Sequence, residues 1–548
     1  MDATTPRRSN AGSPAPQSNA AAAAAAAAAS AAAAAASAAA AAASGTASPA
    51  SSLAASLLGG SSVLAVASPG MYIENLFVYN AIFGPTEETE HEKIVFYHPS
   101  DVPLDTKIKQ VGLCEALVKF AATFSVDRPC ESMHSMRSRQ VFFEPEPEYW
   151  MVMTVTVPVT LKTGKDGRQV EEFAEEDVQD NILLTALHQS YAMFKLFNGR
   201  FTDIYSQFSL KILRHKLQEF FPRYLTSLRT EHFDLLTACN GIQFMPLDKN
   251  TYLRVQCFVN LTETTFPQIK HTVFLHNEHL IWSGLEQDDM RTLYRLLTSG
   301  FLSATLTGSS EPGSRTTKGG KASATGGSGS GTNISLFQQQ QQAALREMQP
   351  FLLSNRVGYI TGPEDLSDPD TPVNAPQLFV ESAQDGESLH LIIYQSNNAI
   401  VCFLVDASVH FDIKFYRDLD SYIAPQVRGL SETISEHLAK RSAVESHYRY
   451  IYYNHMNLAL KSTMHNKRQL TVPPDVLRIL SDMRSHFEKS PLTHELVVKM
   501  LSDCWVVGRK SEQREIFVML QQKNANLIEI NDEVRRLCMT LFNNIFLE

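Results

Sequence analysis

A strand–turn–strand–helix pattern at residues 271–301 constrains the fold of this chain more than any other stretch. Residues 272–275 and 280–282 are rich in the β-branched, aromatic and aliphatic side chains that favour strands. His276-Asn277-Glu278 lies between them, and asparagine tolerates the left-handed backbone of a tight turn. Asp288 and Asp289 then provide the acceptors and the negative charge typical of a helix N-terminus. The predicted helix has one apolar face, formed by Met290, Leu293, Tyr294, Leu297 and Phe301.

The same pattern occurs twice more in diverged form. One copy has strands at residues 76–79 and 93–97, and the other has strands at 448–453 and 458–460. A helical stripe follows each pair of strands. These stripes are Ile108, Val111, Cys114, Val118 and Ala121 in the first copy and Val476, Leu480, Met483 and Phe487 in the last. Repetition of one supersecondary unit predicts tandem α+β domains of a single fold.

Two low-complexity segments limit how much of the 548-residue chain can pack. Residues 1–70 are mostly alanine and serine, and residues 303–333 are mostly glycine, serine and threonine. Without them about 450 residues remain, enough for about three domains. We expect a disordered tail at 1–70 and domains at 71–235, 241–440 and 446–548, the second carrying a low-complexity insertion at 303–355.

Charge and cysteine usage exclude some classes of protein. The net charge of −10 argues against a protein that binds nucleic acid through its phosphates. The seven cysteines include no CxxC pair, which predicts reduced thiols in a cytoplasmic protein. The alanine-rich tail does not predict a membrane span, because alanine gives little insertion energy and Gly59-Gly60 interrupts its apolar end.

Local signals also predict individual elements. In the first domain we expect strands at 140–143 and 150–157, a polar loop at 162–176 and a helix that ends at Pro222. In the second, residues 389–394 and 399–405 form a hairpin whose second strand is covered on both faces, and a helix follows at about 411–440. In the third, we expect one strand over 496–507, another over 515–520, and a last helix capped by Asn531-Asp532-Glu533.

The sequence contains no assembled catalytic motif in the segments expected to be ordered. There is no GxSxG, no P-loop and no HExxH. His276-Asn277-Glu278 matches the HxE of zinc deaminases, but no PCxxC follows, so a turn is the better interpretation. Asp288 and Asp289 could imitate a metal-binding pair, but helix capping explains them without a metal. We therefore predict no catalytic residue, no metal ligand and no cofactor.

Apolar residues punctuate the glutamine-rich end of the insertion. They are Ile334, Phe337, Leu345, Met348 and Leu352. One hypothesis is a short amphipathic helix that lies on a membrane surface. The alternative, slightly favoured, is a polyglutamine tract whose apolar end re-enters the second domain.

Eight segments resemble the vacuolar fusion protein family of calcium-caffeine-zinc sensitivity (Ccz). They are VGLCEALVKF (111–120), YWMVM (149–153), KLFNG (195–199), HLIWSGLEQDDMR (279–291), AIVCFLVDASVH (399–410), YNHMNLA (453–459), LSDCWVVGRKS (501–511) and NANLIEIN (524–531). The resemblance spans all three predicted domains. Only the alanine-rich tail and the insertion depart from it.

The resemblance implies three tandem longin domains, each with a mixed, mainly antiparallel sheet that carries helices on its faces. It also implies a heterodimer with the triple-longin monensin-sensitivity (Mon) protein, together with a third, β-propeller-type subunit. The expected activity is guanine-nucleotide exchange on the late-endosomal and lysosomal Rab GTPase, which drives endosome maturation, lysosomal fusion and autophagosome clearance. The complex would be recruited peripherally to those membranes. The alternative is a non-catalytic longin scaffold or adaptor.

Nucleotide exchange requires no nucleophile, because a partner that prefers the nucleotide-free GTPase weakens nucleotide binding by the same coupling energy. The candidate surface for the partner and the GTPase is the first helix with the loop before it. It comprises His98, Pro99, Lys107, Ile108, Lys109 and Val111. Core packing is at least as favoured an interpretation for Ile108 and Val111 taken singly.

Overall fold

The computed structural model contains three α/β modules that follow one another along the chain. The predicted tail at 1–70 and residues 300–356 of the insertion region lie outside the residues that the structure describes. The described residues are 71–124, 129–163, 169–175, 178–228, 235–299, 357–363, 365–368, 371, 373–381, 387–409, 412–445, 448–464, 472–490 and 492–542.

The first module is a five-stranded antiparallel sheet between two layers of helices. Its strands are β1 (Ile73–Asn80), β2 (Ile94–His98), β3 (Ser132–His134), β4 (Ser138–Glu146) and β5 (Tyr149–Thr156), in the order β2-β1-β5-β4-β3. A separate hairpin, β6 (Val159–Thr163) and β7 (Gln169–Phe173), extends from β5. The helices are α1 (Leu104–Phe124), α2 (Asp180–Asn198), α3 (Phe201–Gln207) and α4 (Leu210–Ser227). Leu76 and Val78 of β1 pack on the α2 side, whereas Phe77 and Tyr79 pack on the α1 side, because successive strand residues face opposite ways.

A short linker leads into the second module. It contains α5 (Leu235–Cys239) and β8 (Ile242–Gln243). The second module comprises α6 (Lys249–Thr265), β9 (Ile269–His276), β10 (His279–Ser283), α7 (Gln287–Thr298), β11 (Gly358–Pro363), β12 (Val373–Asn374), β13 (Gln377–Val380), β14 (Glu387–Ser396), β15 (Ala399–Asp406) and α8 (Ile413–Glu445). The strand order is β10-β9-β15-β14-β11-β12, and β13 also pairs with β14. Residues 399–405 of β15 are all buried, which confirms the predicted central strand.

The third module repeats the arrangement. It comprises β16 (Arg449–Asn454), β17 (Ala459–Ser462), α9 (Pro474–Lys489), β18 (Glu495–Lys499), β19 (Cys504–Ser511), β20 (Arg514–Gln521) and α10 (Leu527–Leu541). Its strand order is β18-β19-β20-β16-β17, with β8 added beside β17. In every module the first strand lies beside the last, and the helix-linked second strand lies outside it. The predicted tandem repeat of one α+β fold is therefore confirmed.

The linker strand β8 joins the sheets of the second and third modules. It pairs in parallel with β17, and Ile242 donates its backbone N–H to the carbonyl of Leu458 at 2.8 Å. On its other side Phe244 forms a parallel bridge with Leu280 of β10. An exposed sheet edge presents unpaired backbone groups. The linker residues therefore pair with backbone groups at the edges of both sheets.

The first and second modules share a hydrophobic core. Helix α2 packs between the first sheet and helix α7 of the second module. Phe194 of α2 and Leu293 and Leu297 of α7 are almost wholly buried in one continuous cluster. Burial of this kind contributes about 1.5–3 kcal/mol per large apolar side chain.

Two predicted helices have wrong boundaries, and one helix was missed. Helix α4 continues past Pro222 to Ser227, because burial of Phe221 and Tyr224 offsets the hydrogen bond that the proline removes. The last helix begins at Leu527, not after residues 531–533. Asn526 caps it, since the side chain accepts from Glu529 N at 2.9 Å while the Glu529 carboxylate accepts from Asn526 N at 3.1 Å. Helix α6 was not predicted at all.

One loop prediction and one strand prediction were also wrong in part. The residues predicted as a polar loop at 162–176 contain the end of β6 and all of β7. The stretch predicted as one strand over 496–507 is divided between β18 and β19. Asp503, in the turn between them, has a φ of 58°, a left-handed conformation that ends a strand and reverses the chain.

Candidate functional site

Helix α1 is the candidate partner surface, and it differs from the equivalent helices of the other modules. Helix α7 packs against α2 of the first module, and α9 contacts the linker helix α5. The main contacts of α1 are with β2 and the 3-10 turn Glu87–Lys93 of its own module. Its exposed apolar side chains include Leu104, Phe120 and Phe124, which are 56%, 47% and 77% exposed. This outer face is therefore available to a partner of the first module.

A charge cluster fixes the middle of α1 to the sheet. The Glu115 carboxylate accepts from Lys93 Nζ at 2.8 Å and from Lys119 Nζ at 2.6 Å. Burial alone would raise the pKa of Glu115, but the two lysines outweigh it and lower that pKa. The carboxylate therefore stays ionised and ties the helix to the end of the 3-10 turn that precedes β2.

The loop before α1 holds the first predicted site residues. Lys107 Nζ donates to the Ser100 carbonyl at 2.8 Å and lies 5.2 Å from the centroid of the Tyr97 ring. The pKa of His98 is lowered by partial burial, against the opposing effect of Asp101. The peptide bond between His98 and Pro99 is cis. The structure thus brings His98, Pro99 and Lys107 together at the N-terminal end of α1.

The other predicted residues of α1 point in different directions. Lys109 is exposed and pairs with Asp105 one turn earlier at 2.6 Å. Ile108 is half-buried. Val111 is buried in the core formed with Phe77 and Tyr97, so its side chain packs inside the module. Lys109 therefore lies on the surface of the helix, whereas Val111 is enclosed by the core.

The predicted membrane helix belongs to the low-complexity insertion. Its residues Ile334, Phe337, Leu345, Met348 and Leu352 all lie outside the described part of the chain. Among the described residues, no helix is long and apolar enough to cross a bilayer.

The suspected metal motifs have structural roles. Asn277 has a φ of 54° in the turn between β9 and β10, as the turn interpretation required. His276 is fully buried and its Nε2 lies 3.1 Å from Ser435 Oγ. Asp288 pairs with Arg291 at 2.6 Å, but neither Asp288 nor Asp289 provides the helix cap, which falls at Glu286. In the described ranges no group of three histidine, cysteine or carboxylate side chains could hold a metal ion.

Sequence reasoning missed a cleft where the three modules meet. Helices α2 and α7 form its main walls, and Arg484 of α9 also lines it. The linker residues Cys239 and Asn240 also line it. No local signal could have revealed it, because its walls come from residues up to 300 positions apart in the sequence.

The fold and its surfaces define a protein of three longin-like domains. Three family models match the three modules in order. They are the "First Longin domain of INTU, CCZ1 and HPS4" at residues 73–199, "Intu longin-like domain 2" at 269–424 and "Intu longin-like domain 3" at 444–537. The predicted longin fold is thereby confirmed.

Similar proteins cover most of the chain. The vacuolar fusion protein CCZ1 homolog of Nematostella vectensis is 45% identical over 482 residues, which are 87% of this chain and 98% of that relative. Its counterpart in Danio rerio is 41% identical, covering 86% and 95%, and that of Dictyostelium discoideum is 29% identical, covering 86% and 96%. The chain belongs to the CCZ1 family, which confirms the resemblance of the sequence segments.

Proposed function

We propose that this chain is one subunit of a guanine-nucleotide exchange factor that activates the late-endosomal and lysosomal Rab GTPase. Its partner would be a Mon-type triple-longin protein, with a β-propeller-type third subunit. The complex would act in endosome maturation, lysosomal fusion and autophagosome clearance, recruited peripherally to the membranes concerned. Membership of a family whose relatives are named vacuolar fusion proteins supports this proposal.

One structural observation carries the proposal. In the first longin-like domain the outer face of helix α1 is exposed. The equivalent helices are covered, α7 by α2 and α9 by the linker helix α5. Helix α1 presents the exposed apolar side chains Phe120 and Phe124 and, at its N-terminal turn, the charged Lys109. Protein interfaces combine an apolar centre with a polar rim in the same way. A partner longin domain and the GTPase would meet at or beside this face.

The mechanism would be linkage, with no covalent step. A surface that binds the nucleotide-free GTPase more tightly than the nucleotide-bound form must weaken nucleotide binding by the same factor. For a small GTPase this means displacing the switch segment and the contacts that hold Mg²⁺ and the phosphates. The role of Lys107 and Lys109 would be to steer or hold an acidic part of the GTPase or of the partner chain.

The second candidate function is a longin scaffold that binds the same partners and leaves nucleotide affinity unchanged. The extended sheet through β8 favours it, since this sheet gives the second and third modules a fixed relative placement suited to assembly. The two functions differ in one measurable quantity, the rate of GDP release.

The experiment is co-purification with a Mon-type chain, followed by release of fluorescent GDP from late-endosomal Rab. The assembled complex should accelerate release. The double variant Lys107→Glu/Lys109→Glu should slow complex-stimulated release by about tenfold, as expected when charge that steers association is reversed. Lys109 is exposed, whereas Lys107 is half-buried over the Tyr97 ring, so assembly of the variant with its partner is measured beside the release rate.

The matched control is Lys211→Glu/Lys414→Glu, which changes the net charge equally at exposed positions on α4 and α8. It should retain the release rate of the unmodified complex. Unchanged release by the Lys107/Lys109 variant with intact assembly would remove this surface from the exchange site. A pure two-chain complex that leaves GDP bound to every Rab tried would favour the scaffold.

A further inference from the structure

The outermost strand of the third module forms an open sheet edge. Strand β18 pairs with β19 on one side, and within the described part of the chain no strand lies along its other side. At the opposite end of the same sheet the edge of β17 is covered by β8. An open apolar edge is a template for pairing with another strand.

The strand is apolar in its middle but is not enclosed. Its sequence is Glu495-Leu496-Val497-Val498-Lys499, and none of these residues is buried, whereas residues 504–508 of the neighbouring β19 are all buried. Leu492 and Leu501, which flank the strand, have almost fully exposed side chains. The edge therefore presents aliphatic side chains together with its backbone.

The hydrogen bonds to β19 show which backbone groups of β18 face outward. Lys510 donates its N–H to the His494 carbonyl, and Met500 donates its N–H to the Cys504 carbonyl, both at 2.8 Å. In an antiparallel pair every second residue bonds to the neighbouring strand, so the even-numbered residues of β18 bond to β19. The residues whose N–H and C=O groups point away from the sheet are Glu495, Val497 and Lys499.

This edge is complementary to a second copy of itself. In an antiparallel pairing about a two-fold axis at Val497, Glu495 of each copy lies opposite Lys499 of the other. All the outward residues then fall in hydrogen-bonded pairs, in which two opposed residues exchange both N–H···O bonds. Val497 meets its own counterpart, and Leu496 meets Val498. Opposite charges and aliphatic pairs across two strands both stabilise a sheet.

Both charged residues can take part in such a pairing. Lys499 is exposed, its Nζ lies 5.0 Å from the centroid of the Trp505 ring, and it forms no ion pair with a carboxylate in the described ranges. The Glu495 carboxylate accepts from Arg509 at 3.0 Å and is 46% exposed. Because a carboxylate accepts several hydrogen bonds, Glu495 can receive a lysine and keep its arginine.

A groove beside the strand adds apolar surface. It has a volume of about 420 Å³ and lies between β18 and the first turn of α10, where Val497, Leu527 and Ile528 line it. Leu527 and Ile528 are 56% and 73% exposed. Opposed residues of an antiparallel pair share one face, so the α10 helices of two paired copies would flank the Val497 pair on the same face.

We propose that β18 is a self-association edge, through which two copies of this chain pair in the antiparallel direction and join their third-module sheets into one. The contact consists of the outward backbone groups, the aliphatic pairs and the two symmetric pairs of Glu495 with Lys499. A five-residue strand with its flanking leucines is smaller than a standard interface of about 1,200–2,000 Å², so the association is reversible and depends on concentration.

The test is the molar mass of the purified full-length chain, measured by sedimentation velocity over a range of concentrations. The unmodified chain should pass from monomer to dimer as its concentration rises. Glu495→Lys and Lys499→Glu should each weaken the dimer at least about tenfold, because each replaces two opposite-charge pairs by two like-charge pairs. An equimolar mixture of the two variants should regain the dimer, since every reversed charge then meets its opposite.

Two further variants separate pairing from folding. Lys211→Glu, at an exposed position on α4 of the first module, is the matched control for the charge reversal and should dimerise like the unmodified chain. Val497→Pro removes an outward N–H and leaves the bonds to β19 intact, as proline does on edge strands. It should keep the circular dichroism spectrum of the unmodified chain and abolish the dimer.

A chain that stays monomeric at every concentration, or charge variants that dimerise as well as the unmodified chain, would overturn the proposal. Failure of the mixed variants to regain the dimer, with both folded, would do the same. A Mon-type chain that dissociates the dimer, and that binds Val497→Pro more weakly, would assign the edge to that partner instead of a second copy. If Glu495→Lys does not fold, Lys499→Glu and Val497→Pro still decide.

Discussion

The buried histidine of the β9–β10 turn should make the second module sensitive to acid. His276 has no exposed surface, and burial lowers its pKa from the ordinary 6.5 to about 4. A hydrogen bond that the ring donates to the Ser431 backbone carbonyl opposes this shift, and nearby His279 adds slightly to it. The folded pKa lies below the unfolded one, so the contribution of His276 to stability is complete above pH 6.5. It is lost as the pH falls toward 4.

The size of the effect follows from linkage. A fall in pKa from 6.5 to about 4 corresponds to about 3.4 kcal/mol of lost stability once both states are protonated. Between pH 7.5 and pH 5.5 the same relation gives about 1.3 kcal/mol. His276→Gln keeps a polar group near Ser435 and has no charge to gain, so it should lose about 1.3 kcal/mol less than the unmodified chain over that interval.

The assay is urea unfolding at the two pH values. The chain has three tryptophans, and Trp282 on β10 is the one in the second module. Replacing Trp150 and Trp505 by phenylalanine would leave it as the single fluorescent reporter. With a urea dependence of about 1–3 kcal/mol per molar, the unmodified chain should show an extra midpoint shift of about 0.4–1.3 M.

A second variant separates burial from hydrogen bonding. Ser435→Ala removes the hydroxyl 3.1 Å from His276 Nε2 but leaves the imidazole buried, so it should keep the pH dependence. Equal pH-dependent losses in His276→Gln and the unmodified chain would refute the reasoning.

Two further predictions concern the linker and the insertion. Gly241→Ala should destabilise the chain by about 1–3 kcal/mol, because a Cβ there would lie 2.6 Å from Leu460 Cβ. Thermal unfolding measures this loss. The control is Gly112→Ala on α1, where a Cβ meets nothing within 4 Å and no loss is expected. Deletion of residues 334–353 should abolish flotation of the chain with anionic liposomes if that segment is a membrane helix, and undiminished flotation would reject this role.

The repeated unit could be predicted because its signals are local. Strand alternation, the asparagine turns and the helical stripes all lie within about 30 residues of one another, and Asn277 and Asn397 both adopt positive φ in tight hairpins. Helix α6 also had a local signal that was overlooked. Val255, Phe258, Val259 and Thr262 repeat at helical spacing, and the Asp248 side chain accepts from Thr251 N at 3.1 Å.

Other features could not be predicted from local patterns. Strand β8 has two residues, and its pairing with Ala459 and Leu460 depends on a contact more than 200 residues away. The burial of Asp289 depends on α2 packing against α7, so a residue that looks like a helix cap becomes part of a cleft. The roles of His98, Pro99, Lys107, Ile108, Lys109 and Val111 at a partner surface stay a prediction.

The helix after the second strand occurs in all three modules, but its outer side is buried to different extents in the first and the second. In α7 the buried set includes Met290, Leu293, Leu296 and Leu297, because the first module covers the outer side of that helix. In α1 the buried residues are Val111, Cys114 and Glu115, which pack against its own module. A helix that packs within the chain on several sides cannot also receive a partner there. Within the described chain, the first module therefore leaves the outer side of its helix uncovered, while the second uses the equivalent helix to join the modules.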